Sequence, residues 1–274
     1  MHSVTCVTRR MQHDSPDCGP ILRRIRSQAP FVYGLTNYVA ATLSANVLLA
    51  AGAAPAIGAA PGWPAAFGAH AGGLWVNAAG LINATAHDML AAIDAANASE
   101  VPWVLDPVAM GAGVAEYDDI IRRMAARRPA VIRGNASEIM ALAGGAATAR
   151  GVETTASIAQ AVPLGQVLAH RLGAIVAISG PEDHVLSPDG AQVIISGGHA
   201  WLTTVTGAGC ALGGLIAAGL AVTPTPGERL TAVAAVHALY ARAAEKAAGP
   251  ARGPGSFATG FVDALAQLQG LAHD

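Results

Sequence analysis

The sequence predicts an α/β fold with a mainly parallel central sheet and helices on both faces. Three observations carry this. Short β-branched runs alternate with longer Ala/Leu runs along the chain, the order expected of strands and crossover helices. Nearly every expected strand ends in a polar residue, and ligands of such sheets sit beyond the carboxyl ends of the strands. The chain has 274 residues, 53% hydrophobic and 12% charged, which excludes intrinsic disorder and leaves enough apolar material for one large domain.

Taken in order, the first strand covers 31–35 and is followed by Thr36-Asn37 and a helix over 39–51. Gly52 stands where a helix C-terminus favours glycine. A strand over 74–77 ends in Asn77, and a helix over 84–98 follows. The strand over 102–106 ends in Asp106-Pro107 and precedes a helix over 117–127. The strand over 130–133 runs into Arg133-Gly-Asn135 and a helix over 135–143. A helix over 155–172 leads to a strand over 174–179, which ends in Ser179-Gly180. After a strand over 192–196 come helices over 207–221, 228–248 and 256–269. Phe257, Phe261, Leu265 and Leu268 give the last helix one apolar stripe. Residues 1–20 lack the apolar centre of a signal peptide. They are expected to form a flexible N-terminal extension before a single domain over 21–274.

Charge narrows the function. Sixteen basic and eighteen acidic residues leave a net charge of -2, with no basic excess to neutralise nucleic-acid phosphates. Lys246 is the sole lysine, and no GxxxxGK[ST] run occurs, so a lysine-type P-loop is excluded. Residues 27–87 carry no Asp, Glu, Lys or Arg, but Asn37, Asn46, Pro55, Pro61, Pro64 and several glycines break the stretch. It and the glycine-rich run 207–222 therefore read as buried elements rather than membrane spans. Cys6, Cys18 and Cys210 form no CxxC pair. This is neither a disulfide scaffold nor a cysteine zinc site, and it suits a reducing compartment.

Four constellations carry chemistry. In Val205-Thr-Gly-Ala-Gly-Cys-Ala-Leu-Gly213, glycines precede a long apolar helix. Gly207, Ala208, Gly209 and Cys210 can form a nest of N–H groups at a helix N-terminus, which binds an anion without lysine; a plain turn before a core helix is the other reading. Cys210 in the first turn is expected to have a lowered pKa, as a base or nucleophile needs. It can instead be a small buried hydrophobe. In Arg133-Gly-Asn-Ala-Ser-Glu138, Asn135 and Glu138 have capping-box spacing. Glu138 can also orient metal-bound water near phosphates, with Asp106 as a second carboxylate, since Mg²⁺ takes few carboxylates plus waters and substrate oxygens. Arg133 can reach a nucleotide phosphate or pair with Glu138 at the surface. Asn37 can cap the helix after it or offer a donor and an acceptor to a neutral heterocycle. Gly253-Pro-Gly-Ser-Phe257 is explained by turn chemistry. The nine histidines show no HExxH or paired spacing; His199 and His237 matter only if Cys210 is the nucleophile of a hydrolase.

These residues resemble the hydroxyethylthiazole kinases of the ribokinase-like superfamily. The matching stretches are LTNYV (35–39), SANVLLAAGAAPAIG (44–58), WVLDPVAMGA (103–112), VIRGNASEIMALAG (131–144), TGAGCAL (206–212) and GPGSF (253–257). Cysteine at 210, where many superfamily members carry Asp, makes the match specific. The resemblance implies a ribokinase-like fold and ATP-dependent phosphorylation of 4-methyl-5-(2-hydroxyethyl)thiazole with Mg²⁺, in thiamine salvage in the cytoplasm. It implies that Asn37 and Ile57 line the thiazole pocket and that Gly207 lies at the substrate. Arg133 and Ser179 would contact ATP, Asp106 and Glu138 would serve the metal, and Cys210 would face the reacting hydroxyl. It also implies a homotrimer with sites between subunits. The chain departs from the family at Ala208 (commonly Thr), Thr204 (commonly Lys), Ala79-Gly80 (usually Gly-Thr) and Ile57 (frequently Met).

Overall fold

A computed structural model describes residues 8–12, 18–144, 157–223 and 225–268. The described strands join one nine-stranded sheet in the order β1-β9-β8-β7-β6-β5-β4-β2-β3. These are β1 (Thr8–Gln12), β2 (Phe31–Leu35), β3 (Ala54–Ile57), β4 (Gly73–Asn77), β5 (Trp103–Asp106), β6 (Val131–Asn135), β7 (Ile175–Ser179), β8 (Glu182–Leu186) and β9 (Gln192–Ser196). All pairings are parallel except those of β8, which runs antiparallel to β7 and β9. The expected mainly parallel α/β architecture is therefore present.

The helices are α1 (Gly19–Gln28), α2 (Tyr38–Ala51), α3 (Trp63–His70), α4 (Ala86–Ala98), α5 (Ala115–Ala125), α6 (Ala136–Ala143), α7 (Ile158–Leu172), α8 (Ala208–Ala221), α9 (Arg229–Ala248) and α10 (Pro254–Gln267). Strand side chains alternate between the faces, so each strand feeds both cores. Trp75, Val104, Val131 and Ala177 join the core of α1, α2, α8, α9 and α10. Val76, Leu105, Ile132 and Val176 join the core of α3 to α7. Trp75 lies so close to α8 that a Cβ on Gly213 would stand 2.5 Å from its indole nitrogen. Glycine there lets the helix rest directly on the sheet.

All six expected strands and all eight expected helices are found, with ends shifted by up to about three residues, the usual uncertainty of element boundaries. Positions 155, 156 and 269 of the expected helices lie outside the described residues. Elements the sequence reading lacks are β1, β3, β8, α1 and α3. The N-terminal expectation needs correction within 1–20. Thr8–Gln12 pairs in parallel with β9, Met11 and Cys18 are buried, and α1 starts at Gly19. Residues 1–7 and 13–17 of that stretch, including Cys6, lie outside the described residues.

The chain direction sets the site. From β2 it passes outward to β3 at one edge, then returns to β4 on the other side of β2 and continues towards β7. Crevices form at such a reversal, outside the carboxyl ends of the strands. Asn37, Asn77, Asp106, Asn135 and Ser179 all stand at or just past those ends.

Candidate active site

The site is built on the ends of β4, β5, β6 and β7 and the start of α8. Asp106 ends β5 and is fully buried. Its Oδ2 accepts from Asn77 Nδ2 at 3.1 Å and from Arg133 Nη1 at 3.4 Å. Its Oδ1 is buried without a hydrogen-bond partner. Burial pushes this carboxyl up to about 7, with Glu138 adding to the rise and Arg133 and Asn77 opposing it. For a carboxylate in a dry site, desolvation here outweighs the adjacent guanidinium.

Arg133 lies on β6 and is nearly buried. Its second arm donates to Ser179 Oγ at 3.1 Å. Burial acts against its charge, but Asp106, Glu138, Cys210 and Asp183 together hold it above its ordinary value. It is thus a fixed internal cation. The alternative of a surface partner for Glu138 is overturned, because the chain direction of β6 buries Arg133 between neighbouring strands and its carboxylate contact is Asp106.

Glu138 occupies the third position of α6. Asn135 Oδ1 accepts from the Glu138 amide at 3.0 Å, and Glu138 Oε2 accepts from the Asn135 amide at 2.9 Å. The capping box is therefore real. Glu138 Oε1 accepts a further bond from the Ala109 amide at 3.1 Å, so the carboxylate also ties down the loop after β5. Ala109 has φ 63, a left-handed conformation uncommon for alanine. Tyr117 holds the same loop by donating to the Val108 carbonyl at 2.8 Å.

The glycine turn meets these groups from above. Gly207 has φ 85, and a Cβ there would stand 3.0 Å from Ala40 Cα. Only glycine fits this conformation and this approach to α2. Gly209 is exposed and sits over Arg133, with its would-be Cβ 3.5 Å from Nη2. Tyr240 donates to the Ala208 carbonyl at 2.5 Å and fixes the first turn from below. Residues 207–210 thus connect the helix that begins after Asn37 with the Asp106–Arg133 pair.

Cys210 is half-buried. Its expected lowered pKa is corrected: burial and the neighbouring Asp106 push the thiol up to about 11, against the opposing pull of Arg133 and a hydrogen bond with Asn77. The groups acting on it are carboxylates, the guanidinium and an amide, not a histidine. His199 packs against Trp201 and Phe257, and His237 is bound to Asp183. Among the described residues, neither histidine of the cysteine-nucleophile reading is in hydrogen-bond contact with Cys210.

Asn37 caps α2, accepting from the Ala40 amide at 2.8 Å, and keeps its amide nitrogen for other use. Ile57 ends the edge strand β3 and is half-buried. Neither hydrogen-bonds to Asp106 or Arg133. Sequence reasoning missed three participants. Asn77 was visible only as one more polar strand end. Asp183 gave no local signal and His237 entered only as a possible partner of a nucleophilic Cys210; an unforeseen hairpin and a distant helix bring the two together.

Among the described residues no group of three or more His, Cys, Asp or Glu side chains could hold a metal. Two carboxylates, one with an unpartnered buried oxygen, do fit Mg²⁺, which completes its shell with water and substrate oxygens. No helix among the described residues is long and apolar enough to cross a membrane.

Residues 22–270 match the Hydroxyethylthiazole kinase family. A curated hydroxyethylthiazole kinase of Burkholderia pseudomallei (strain 668) is 57% identical over 256 residues, covering 93% of this chain and 91% of that protein. The solved hydroxyethylthiazole kinase structure from Pyrococcus horikoshii OT3 superposes with TM-score 0.80 at 30% identity, covering 92% and 93% of the two chains. A ribokinase-like superfamily protein from Enterococcus faecalis V583 shares the fold at TM-score 0.51 and 14% identity, over 94% of this chain and 95% of its own. With the fold ribokinase-like and nearly the whole length matched, this chain belongs to the hydroxyethylthiazole kinase family.

Proposed function

We propose that the chain transfers the γ-phosphoryl group of ATP to the primary alcohol of 4-methyl-5-(2-hydroxyethyl)thiazole, in thiamine salvage. One observation carries the reading. The N–H groups of 207–210 open α8 directly over a buried guanidinium and beside a carboxylate pair. That is a lysine-free cradle for a travelling phosphoryl group, and phosphoryl transfer asks the protein mainly for positioning and charge stabilisation.

In this reading the alcohol lies beside Cys210, with the thiazole ring towards Asn37 and Ile57 and Gly207 at the substrate. The free amide nitrogen of Asn37 suits a ring acceptor. The amides of Gly207, Gly209 and Cys210 hold charge on the transferring group; the Ala208 amide, expected to join them, is taken by the Val205 carbonyl at 3.2 Å. Arg133 acts from beneath the nest rather than as an outstretched arm, and Ser179 keeps it there while both face ATP. Asp106 and Glu138 would hold Mg²⁺, which when bound neutralises phosphate charge. Cys210 meets the attacking hydroxyl as a neutral thiol; with its own proton in place it only positions that hydroxyl, and the alcohol's proton passes to a phosphoryl oxygen as the new O–P bond forms and the bond to ADP breaks.

The chain acts in the cytoplasm as a homotrimer with sites between subunits. Support for the assembly comes from the uncharged stretch 27–87, where Tyr38 is 65% and Leu49 59% exposed on α2 and β3 leaves a sheet edge. Apolar side chains held at a surface like this mark contact regions.

The test is coupled ADP release with ATP, Mg²⁺ and a panel of thiazole and pyrimidine alcohols, with light scattering on the same sample. Turnover of the hydroxyethylthiazole by a species of three subunits is expected. Turnover of a pyrimidine alcohol without the thiazole would overturn the substrate.

A further inference from the structure

We propose that His237 and Asp183 form a positioning pair for the nucleotide end of the site: His237 holds the Asp183 carboxylate, and Asp183 fixes the Ser179–Gly180 turn that braces Arg133. The inference rests on the kinase reading above.

The pair is placed by the fold. Because β8 runs antiparallel to β7, its first residues lie at the carboxyl end of β7, next to Ser179. Asp183 Oδ1 accepts from the Gly180 amide at 3.0 Å. Ser179, one residue earlier, accepts from Arg133 at 3.1 Å. On the other side, Asp183 Oδ2 lies 2.7 Å from His237 Nδ1. Burial pushes the Asp183 carboxyl up, but His237, the Gly180 amide and Arg133 outweigh it and hold the group below its ordinary value. Ionised Asp183 can only accept, so His237 donates from Nδ1.

Packing alone does not account for this histidine. It is 1% exposed on a face of α9 otherwise made of Ala, Val, Leu and Tyr. Its Nε2 is buried without a partner, which an apolar residue would avoid. What the histidine adds is a donor aimed at Asp183, and Asp183 adds a further negative charge felt by Arg133 beyond those of Asp106 and Glu138. The guanidinium under Gly209 is thus held between Asp106 on one side and the Ser179–Asp183–His237 relay on the other.

The test uses His237→Leu, which keeps bulk and loses the donor, His237→Asn, which restores an N–H close to the Nδ1 position, and Asp183→Asn, which removes the charge. Each is measured for KM of ATP, KM of the alcohol, kcat, and Kd of a non-hydrolysable ATP analogue by calorimetry. At metal sites, removal of a hydrogen-bond partner that orients a ligating side chain typically costs about 10-fold or more in affinity, and the same scale is taken for a group that orients Arg133. We expect His237→Leu and Asp183→Asn to raise KM for ATP and Kd of the analogue to that extent, with KM of the alcohol within about twofold. His237→Asn should recover most of the loss, a rescue that a purely structural role would not show in binding. If His237→Leu does not fold, Asp183→Asn decides. A folded Asp183→Asn that binds the analogue as tightly as the unaltered chain overturns the pair. An unaltered chain that binds no nucleotide overturns the kinase reading instead, so the two failures are distinct.

Discussion

At Cys210 two local effects oppose each other. The N-terminus of α8 favours a thiolate, an effect worth about 0.3–1 kcal/mol. Burial beside Asp106 moves the thiol from its ordinary 9.0 to about 11, a larger effect than the dipole's and of the opposite sign. Desolvation wins, and the thiol is protonated at neutral pH. Its help to the attacking oxygen is therefore positioning rather than proton removal, and stays below the about 10²–10⁴-fold that a general base supplies. Cys210→Ala should lower kcat by about 10²-fold or less. Cys210→Asp should retain turnover, but not as an ordinary carboxylate. The new side chain would sit next to Asp106 and near Glu138, and like charges raise each other's pKa. Its kcat/KM profile between pH 5 and 9 should show an acidic limb well above the ordinary carboxylate range. Full activity in Cys210→Ala would remove the thiol from the chemistry.

In the proposed mechanism, the start of α6 couples folding to chemistry. Glu138 closes the capping box with Asn135 and also holds Ala109 through its other oxygen. Gln serves in a capping box as Glu does, so Glu138→Gln should melt within a few degrees of the unaltered protein. It removes a charge from the reaction site, and loss of one such group typically costs about 10²–10³-fold in turnover. Asn135→Ala should do the reverse, costing about 1 kcal/mol of stability with the smaller effect on rate. Scanning calorimetry and ADP release on both variants separate the roles. The legibility of elements follows the same physics. Strands buried on both faces, such as β2 and β7, stand out as apolar runs with polar ends, and so the positions of Asp106, Arg133 and Ser179 at the carboxyl ends of strands are legible. Edge and hairpin strands are not. β1 carries two arginines (TRRMQ), β3 contains Pro55, and β8 begins Glu-Asp-His. These are the charges and prolines that edges tolerate and interior strands do not. In α3, Pro64 and an uncharged Ala/Gly composition erase the helical stripe. The pairing of Asp183 with His237 was illegible because it depends on the antiparallel turn of β8 and on a helix 54 residues away.

Across the whole molecule, charge is scarce and its few buried instances are concentrated at one end of the sheet. Asp106 is fully buried between two apolar cores, and burial lifts it from 3.8 to about 7. The folded chain therefore binds a proton there that the unfolded chain has released at any pH between those values. Stability from this group is fully present below the unfolded pKa and is lost as pH rises towards 7, with a slope of at most about 1.4 kcal/mol per pH unit. Asp183 works in the opposite sense, because its pKa is lowered: its contribution is present at neutral pH and disappears on acidification through its folded pKa. The two effects occupy different windows, Asp183 below the ordinary carboxylate pKa and Asp106 above it. Urea unfolding in metal-free buffer at pH 4.5, 5.5, 6.5 and 7.5 should show the Asp106 contribution as a fall in stability with rising pH. In Asp106→Asn that component is gone, so the difference in slope between the two proteins isolates it. The absolute stability of the variant is not the readout, since removing the carboxylate also deprives Arg133 of its nearest counter-charge. Parallel slopes over this range would mean that Asp106 is ionised throughout, with the guanidinium rather than burial in control of the site.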